Sequence, residues 1–186
     1  MRKCALIVAV ILCSAMTAAA QERNSTEVFL GYSYMRANPS TSSADSFNLN
    51  GGSGSIAYYP LHWLGLTADL GGYHVGQIGS TNVDSTLSSY LFGPRVRLPG
   101  TSHLKPFGQV LFGVAHATGS TGFAGAGTSN AFAMAVGGGV DVPFTHHVGV
   151  RLLEVDYLPT WFREIPGGNR LVQSNLRVST GVRFRF

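Results

Sequence analysis

The segment from residue 172 to residue 186 alternates between apolar and polar side chains, and it constrains the fold more than any other feature. Successive side chains of a β-strand point to opposite faces, so this pattern predicts a strand with one apolar and one cationic face. The apolar face comprises Val172, Ser174, Leu176, Val178, Thr180, Val182, Phe184 and Phe186. The other face comprises Gln173, Asn175, Arg177, Ser179, Gly181, Arg183 and Arg185. Such a strand suits lipid on one side and a polar interior on the other.

The N-terminus has the three parts of a secretory signal peptide. Two basic residues come first, a mostly apolar run follows, and Ala18 and Ala20 occupy the small positions that precede a cleavage site. We therefore expect residues 1–20 to be a cleaved signal and residues 21–186 to form one domain. A transmembrane anchor is the alternative, but the apolar run is short for a span of about 20 residues.

The composition favours strands over helices. Only 12% of the residues are charged, whereas a soluble domain has about 25%. No apolar run after residue 20 is long enough for a spanning helix, and the chain has 24 glycines. Both cysteines, Cys4 and Cys13, lie in the signal, so no disulfide is expected in the domain. The domain has one lysine, Lys105, and no basic cluster with interleaved aromatics, so nucleic acid is not an expected partner.

Alternation and turn residues predict eight strands. Their approximate ranges are 27–36, 49–59, 64–73, 87–98, 104–117, 131–142, 148–158 and 172–186. The connections alternate between short ones with a proline, at 60–62, 99–103 and 143–147, and long ones, at 37–46, 74–86, 118–130 and 159–171. The long connections are rich in Gly, Ser, Thr and Asn, as loops are. An even strand count with short turns at one end is the layout of an eight-stranded antiparallel up-and-down transmembrane β-barrel.

The plan resembles the small bacterial outer-membrane β-barrel family that includes the transmembrane domain of outer membrane protein A. The most specific resemblance lies in residues 179–186, which are similar to the C-terminal assembly signal of these barrels. The residues that carry it are Ser179, Gly181, Phe184 and Phe186. The family's best-known members have a peptidoglycan-binding domain after the barrel. None follows Phe186, so we expect no cell-wall tethering role.

The resemblance implies a location and partners. The location is the bacterial outer membrane, and the partners are outer-membrane lipid, with the barrel-assembly machinery and periplasmic chaperones during biogenesis. We expect a monomer with no cofactor and no metal, and an unidentified surface ligand remains open.

Charged residues on the inward faces predict a lumen charge network. Its members are Asp69, Arg95, Arg97, Asp141, Glu154, Asp156, Arg177, Arg183 and Arg185. Two interpretations are open. The network either lines an ion path or forms a packed plug, and an eight-stranded lumen is narrow enough for side chains to fill it. Burying charges alone is costly, which favours the paired plug.

The seventh strand departs from regular alternation. Arg151 and Asp156 are an odd number of residues apart, so both cannot face inward on a regular strand. A β-bulge near Leu152 and Leu153 would place both inside. Otherwise Arg151 would lie near a membrane boundary, with its charge extended to water.

Aromatic residues near the strand ends predict two girdles at the bilayer interfaces. Those near the short turns are Tyr58, Tyr59, Trp63 and Phe144. Those near the long loops are Tyr73, Tyr157, Trp161 and Phe162. Core packing in a soluble β-sandwich is the alternative, but it leaves the apolar outer face of the last strand unexplained.

The sequence contains only weak candidates for catalytic or metal-binding residues. A hydrolase would need a Ser–His–acid set, but His116 falls in register with apolar outward residues and has no evident acid. His62 and the pair His146 and His147 lack acidic or Cys partners for a metal. We therefore expect a non-catalytic outer-membrane barrel, structural or surface-interacting through its long loops, with a plugged lumen. A narrow pore or a lipid-modifying enzyme is the alternative.

Overall fold

The structure is a computed structural model, and it describes residues 24–38, 47–78, 81–119, 127–162 and 171–186. It contains eight strands: β1 (Ser25–Asn38), β2 (Phe47–Tyr59), β3 (Leu64–Ile78), β4 (Thr81–Arg97), β5 (Lys105–Gly119), β6 (Gly127–Pro143), β7 (Val148–Phe162) and β8 (Leu171–Arg185). Within these ranges no helix is both long enough and apolar enough to cross a membrane. The predicted signal peptide lies outside the described residues.

The strands form a closed barrel in chain order, and every neighbouring pair is antiparallel. β1 pairs with β8, from Glu27 opposite Arg185 to Asn38 opposite Ser174, and this pairing closes the sheet. Closure leaves no strand edge facing lipid, where unpaired backbone groups would find no partner. The predicted fold class is confirmed.

Several strands are longer than the sequence predicts. β3 and β4 run through most of the predicted loop 74–86, and only residues 79–80 separate them. The polar residues of that segment suggested a loop, but backbone pairing continues through them, with an irregularity between Val75 and Gln77. A transmembrane strand needs about 9–11 residues, so these strands extend beyond the hydrocarbon.

Alternation separates a lipid face from a lumen face. On β8, Leu176 and Val182 are exposed on the outside, while Arg177, Ser179 and Arg183 are buried in the lumen. Other large apolar side chains on the outer surface include Leu30, Ile56, Leu66, Leu70, Phe92, Phe112 and Phe132. The predicted facing of the last strand is confirmed.

The irregularity predicted for β7 is present. The register of β7 shifts against β8 between Arg151 and Glu154, and that of β6 against β7 shifts between Val140 and Asp141. Leu152 and Leu153 are consecutive, yet their exposed fractions are 54% and 48%. The bulge thus turns both leucines outward and lets Arg151 and Glu154 both face inward. The alternative position of Arg151 at a membrane boundary is wrong.

Three consecutive glycines in β6 make room for the lumen side chains. A Cβ at Gly137 would collide with the backbone of Val155 and the carboxylate of Asp156. A Cβ at Gly139 would collide with the backbone of β7 and the ring of Phe107. The run at residues 137–139 is therefore a close-approach site, as glycine in a strand often is.

We expect Val178→Arg to weaken folding into lipid vesicles by ~2–4 kcal/mol, the cost of an arginine facing hydrocarbon near the bilayer midplane. Val178 lies at the centre of β8. Leu104→Arg is the control, because Leu104 is exposed just outside β5 at the short-turn end, where the cost falls to ~0–1 kcal/mol. Chemical unfolding in vesicles measures both. Equal costs would mean that the facing or depth of β8 is misassigned.

Candidate functional site in the lumen

The lumen has two halves of opposite character. The half toward the short turns contains the charged side chains, as described below. The half toward the long loops is mainly apolar, although Thr160, Gln173 and Asn175 are also buried there. Its apolar cluster comprises Met35, Ala37, Leu49, Tyr73, Leu87, Leu91, Leu111, Ala115, Ala117, Ala131, Ala133, Ala135 and Leu158. The sequence predicts a polar interior, and the structure corrects this for the outer half. The reason is that a closed, narrow barrel packs its interior like a protein core.

Arg177 is the centre of the charged half. It is fully buried, and its guanidinium contacts three carboxylates from two other strands. The Nη1 atom donates to Asp69 at 2.6 Å, and Nη2 donates to Asp156 at 2.7 Å and lies 3.4 Å from Glu154. Arginine suits this role because its planar fork serves several acceptors at once.

Arg151 forms a second group beside it. Its Nε donates to Asp141 at 2.8 Å, and its Nη1 pairs with Glu154. The guanidinium also lies 4.3 Å from the ring centres of both Phe29 and Phe107. Stacking on aromatic faces and ion pairing together compensate for the complete burial of this cation.

Gln109 connects Arg95 to the carboxylates. Arg95 donates twice to the Gln109 carbonyl oxygen, at 2.9 and 2.7 Å. The Gln109 amide group in turn donates to Glu154 and Asp156, both at 2.9 Å. The amide accepts from a cation and donates to anions, so it links groups that do not touch directly.

The third group lies at the short-turn mouth. Glu27 Oε1 accepts from Arg97 at 2.8 Å and from Arg183 at 2.6 Å. Arg97 also lies over the ring of Tyr59, 3.4 Å from its centre. Arg185 faces the same mouth but is exposed, and its side chain forms no ion pair with the described residues.

The charges of this buried network balance. Its five arginines are Arg95, Arg97, Arg151, Arg177 and Arg183, and its five carboxylates are Glu27, Asp69, Asp141, Glu154 and Asp156. A neutral, paired set avoids the large penalty of an uncompensated buried charge.

Serine hydroxyls extend the polar contacts beyond the charged residues. Ser33 on β1 exchanges hydrogen bonds with Ser53 on β2 and with Ser179 on β8, at 2.5 and 2.6 Å. All three serines are buried. They join β1 to both of its neighbours, β2 and β8, and the barrel closes between β1 and β8.

The network predicted from the sequence did not include several residues that the structure places in it. Glu27 and Gln109 are buried partners, and Phe29 and Phe107 are the rings that stack on arginine. Period-two alternation already places these residues inward, so Glu27 could have been found from the pattern. Phe29 and Phe107 could not have been identified as partners of arginine, because alternation shows that they face inward but not that they contact a cation.

The predicted aromatic girdles need correction at two positions. Tyr59 and Tyr73 are 2% and 1% exposed and lie in the lumen. Tyr59 follows the outward Tyr58, and Tyr73 is an odd number of residues from the outward Leu70, so neither can face lipid.

The other predicted girdle residues lie as follows. Those with exposed side chains are Tyr58, Trp63, Phe144 and Tyr157. Trp161 is partly buried and packs 5.5 Å from the ring of Phe132. The side chain of Phe162 lies outside the described residues.

The predicted assembly signal occupies the closing strand. Ser179 is buried, Gly181 pairs with Gly31, and Phe184 and Phe186 are exposed on the outer face. The backbone of Phe186 exchanges two hydrogen bonds with Thr26, at 3.1 and 2.9 Å. Recognition of this segment by the assembly machinery remains a prediction.

The candidate histidines are not brought together. His116 Nδ1 bonds the Asn130 side chain at 2.6 Å across the outer surface. His146 and His147 are exposed at a short turn. Among the described residues, no group of three or more His, Cys, Asp or Glu has the arrangement of a metal site.

The closed eight-stranded fold and the apolar outer surface define a class, that of small transmembrane β-barrels. The sequence profile of the family described as "Outer membrane protein beta-barrel domain" matches residues 5–184. The chain belongs to this family. It is located in the bacterial outer membrane, where lipid surrounds it.

Solved outer-membrane barrels have similar structures. Neisserial surface protein A has a TM-score of 0.66 and 21% identity, over 89% of this chain and 100% of that one. Ail of Yersinia pestis has a TM-score of 0.58 and 15% identity, with the same coverage. OprG of Pseudomonas aeruginosa has a TM-score of 0.53 and 12% identity, over 88% of this chain and 96% of that one. At these identities the likeness concerns the fold. No curated protein matches the chain.

Arg177→Met should destabilise the barrel by about 3–5 kcal/mol, because Asp69 and Asp156 would remain buried without their cation. Urea unfolding in lipid vesicles measures the free energy. Adding Asp69→Asn to this variant should recover part of the loss, since the network is then neutral again.

Arg185→Gln is the matched control for that series. It removes the same charge from the same strand, but Arg185 is exposed and unpaired among the described residues, so little change is expected. Equal losses for Arg177→Met and Arg185→Gln would show that the charge network does not stabilise the barrel.

Proposed function

We propose that the protein is a non-conducting membrane scaffold that presents its long extracellular loops for a surface interaction. The observation that supports this most is the filled lumen. A neutral charge network occupies one half, and an apolar cluster occupies the other. An ion would have to break buried pairs and then cross a mainly apolar layer with few polar partners, and both steps are costly.

The loops carry the surface part of the proposal. They are the long Gly-, Ser-, Thr- and Asn-rich connections of the sequence, at the end opposite the short turns. In outer-membrane barrels short turns face the periplasm, so these connections face outward. A barrel of similar fold, Ail, is described as an attachment invasion locus protein, which is consistent with attachment as a role for this architecture.

The proposal also excludes catalysis. A lipid-modifying enzyme needs a nucleophile with a base and an orienting acid near the lipid. His116, the histidine that the sequence favours, bonds Asn130 rather than a serine or a carboxylate. The carboxylates Glu154 and Asp156 bind arginines inside the barrel.

In planar bilayers the purified barrel should give no single-channel openings, because its lumen is packed. An open porin recorded in the same bilayer is the positive control, since larger barrels leave an aqueous channel. Circular dichroism and different migration before and after boiling verify that the inserted protein is folded. Reproducible conductance steps from folded protein would overturn the plug and favour the narrow pore.

Replacing residues 120–126 and 163–170 with short turns should lower the attachment of expressing bacteria to an epithelial monolayer toward that of cells without the protein. The barrel should still fold, since its strands are unchanged. Replacing residues 100–103, at a periplasmic turn, is the matched control and should leave attachment unchanged. Full attachment with trimmed loops would contradict the surface role.

Lipid A from a deletion strain should have an unaltered mass spectrum, and altered lipid A would favour the enzyme.

A further inference from the structure

A cavity opens at the periplasmic end of the lumen, below the charge network. Its volume is about 150 Å³, which is large enough for several water molecules. We call it the vestibule; the lining residues that matter here are Glu27, Tyr59, Arg97, Lys105, Arg183 and Arg185. It lies inside the ring of strands, so its walls are not those that contact hydrocarbon.

The vestibule has an excess of positive charge. Four cations line it, against the carboxylates of Glu27 and Asp141. A single oxygen of Glu27 already serves both Arg97 and Arg183. Lys105 and Arg185 form no ion pair with any described residue. The buried charge network is neutral, whereas the mouth of the lumen has a net positive charge.

A buried donor without an acceptor adds an independent observation. Arg183 is only 6% exposed, and its Nε atom has no hydrogen-bond partner among the described residues. The nearest carboxylate oxygen, on Asp141, is 3.5 Å away. Buried polar groups in native proteins are normally satisfied, so Arg183 retains hydrogen-bonding capacity that its carboxylate partners do not fill.

The chemistry of the vestibule selects the type of ligand. Guanidinium groups recognise the oxygens of phosphate and carboxylate through charge-assisted hydrogen bonds. Partial burial strengthens the attraction relative to bulk water. The apolar half of the lumen blocks the way outward, so the vestibule is reached from the periplasmic side and is a terminus, not a passage.

We propose that the vestibule is a binding site for a small oxyanion of the phosphate class, presented from the periplasmic side. Lys105 and Arg185 supply the unpaired charge, and Arg183 supplies the buried donor. The ligand is either a free periplasmic phosphate or the phosphate of a lipid headgroup at the barrel rim. The inference does not depend on the loops or on the surface role.

Titration with inorganic phosphate tests the site. Calorimetry on the full barrel in maltoside micelles, which contain no phosphate, should show saturable binding that weakens as NaCl is raised. Lys105→Gln combined with Arg185→Gln should raise the Kd by at least about tenfold, because two charges that face the anion are removed. Neither residue belongs to a buried ion pair, so this double variant should fold normally. Arg183→Gln would remove a partner of Glu27 and is avoided for that reason.

Arg36→Gln is the matched control, since Arg36 lies near the opposite end of β1 and outside the vestibule. Its Kd for phosphate should equal that of the unmodified chain. Repeating the titration in nanodiscs that contain anionic lipid identifies the source. Unchanged affinity supports a free phosphate, and suppressed binding supports a headgroup that occupies the same site. Absence of saturable binding, or an equal Kd in the double variant and Arg36→Gln, would overturn the proposal.

Discussion

The need to pair every backbone group in lipid determines the rest of this structure. A sheet that crosses hydrocarbon has to close, and here it closes by pairing β1 with β8. Closure at eight strands leaves a lumen that side chains can fill. The interior therefore has to satisfy the packing rules of a protein core, although the sequence alternates as if the lumen faced water. The charge network and the apolar cluster are two solutions to that one requirement.

The two solutions have different consequences along the barrel axis. The outer half is packed mainly with apolar side chains, and the charged half tolerates burial only because its cations and anions balance. Cross-lumen contacts such as that of Arg177 with Asp69 join residues 108 positions apart. The interior is thus held by long-range pairs that exist only when the barrel is closed. Only the mouth, where Lys105 and Arg185 lie, departs from this balance.

Much of the fold follows from alternation alone. A period of two identified the strands, the lipid face of β8 and the bulge that turns Leu152 and Leu153 outward. Strand ends were less accurate, since polar residues such as those after Tyr73 suit a loop and an extended hairpin equally. Within the lumen, alternation shows which residues face inward but not which ones touch. The stacking of Arg151 on Phe107 depends on the position of each residue along the barrel axis, which the register between strands sets and no local sequence pattern encodes.

The network explains register better than it explains stability. Replacing a buried ion pair by apolar residues is often neutral or stabilising, so the ten charges of the network, nine of them buried, are a poor source of folding energy. A slip of β8 by one residue, however, turns every side chain of the strand to the other face. Arg177 would then enter hydrocarbon, at ~2–4 kcal/mol near the midplane, and Arg183, which lies near the mouth, would do so at a smaller cost. At the same time Asp69 and Asp156 would lose Arg177, and Glu27 would keep only Arg97. The charged lumen thus penalises misregistered closure far more than an apolar lumen would, which is its principal structural effect.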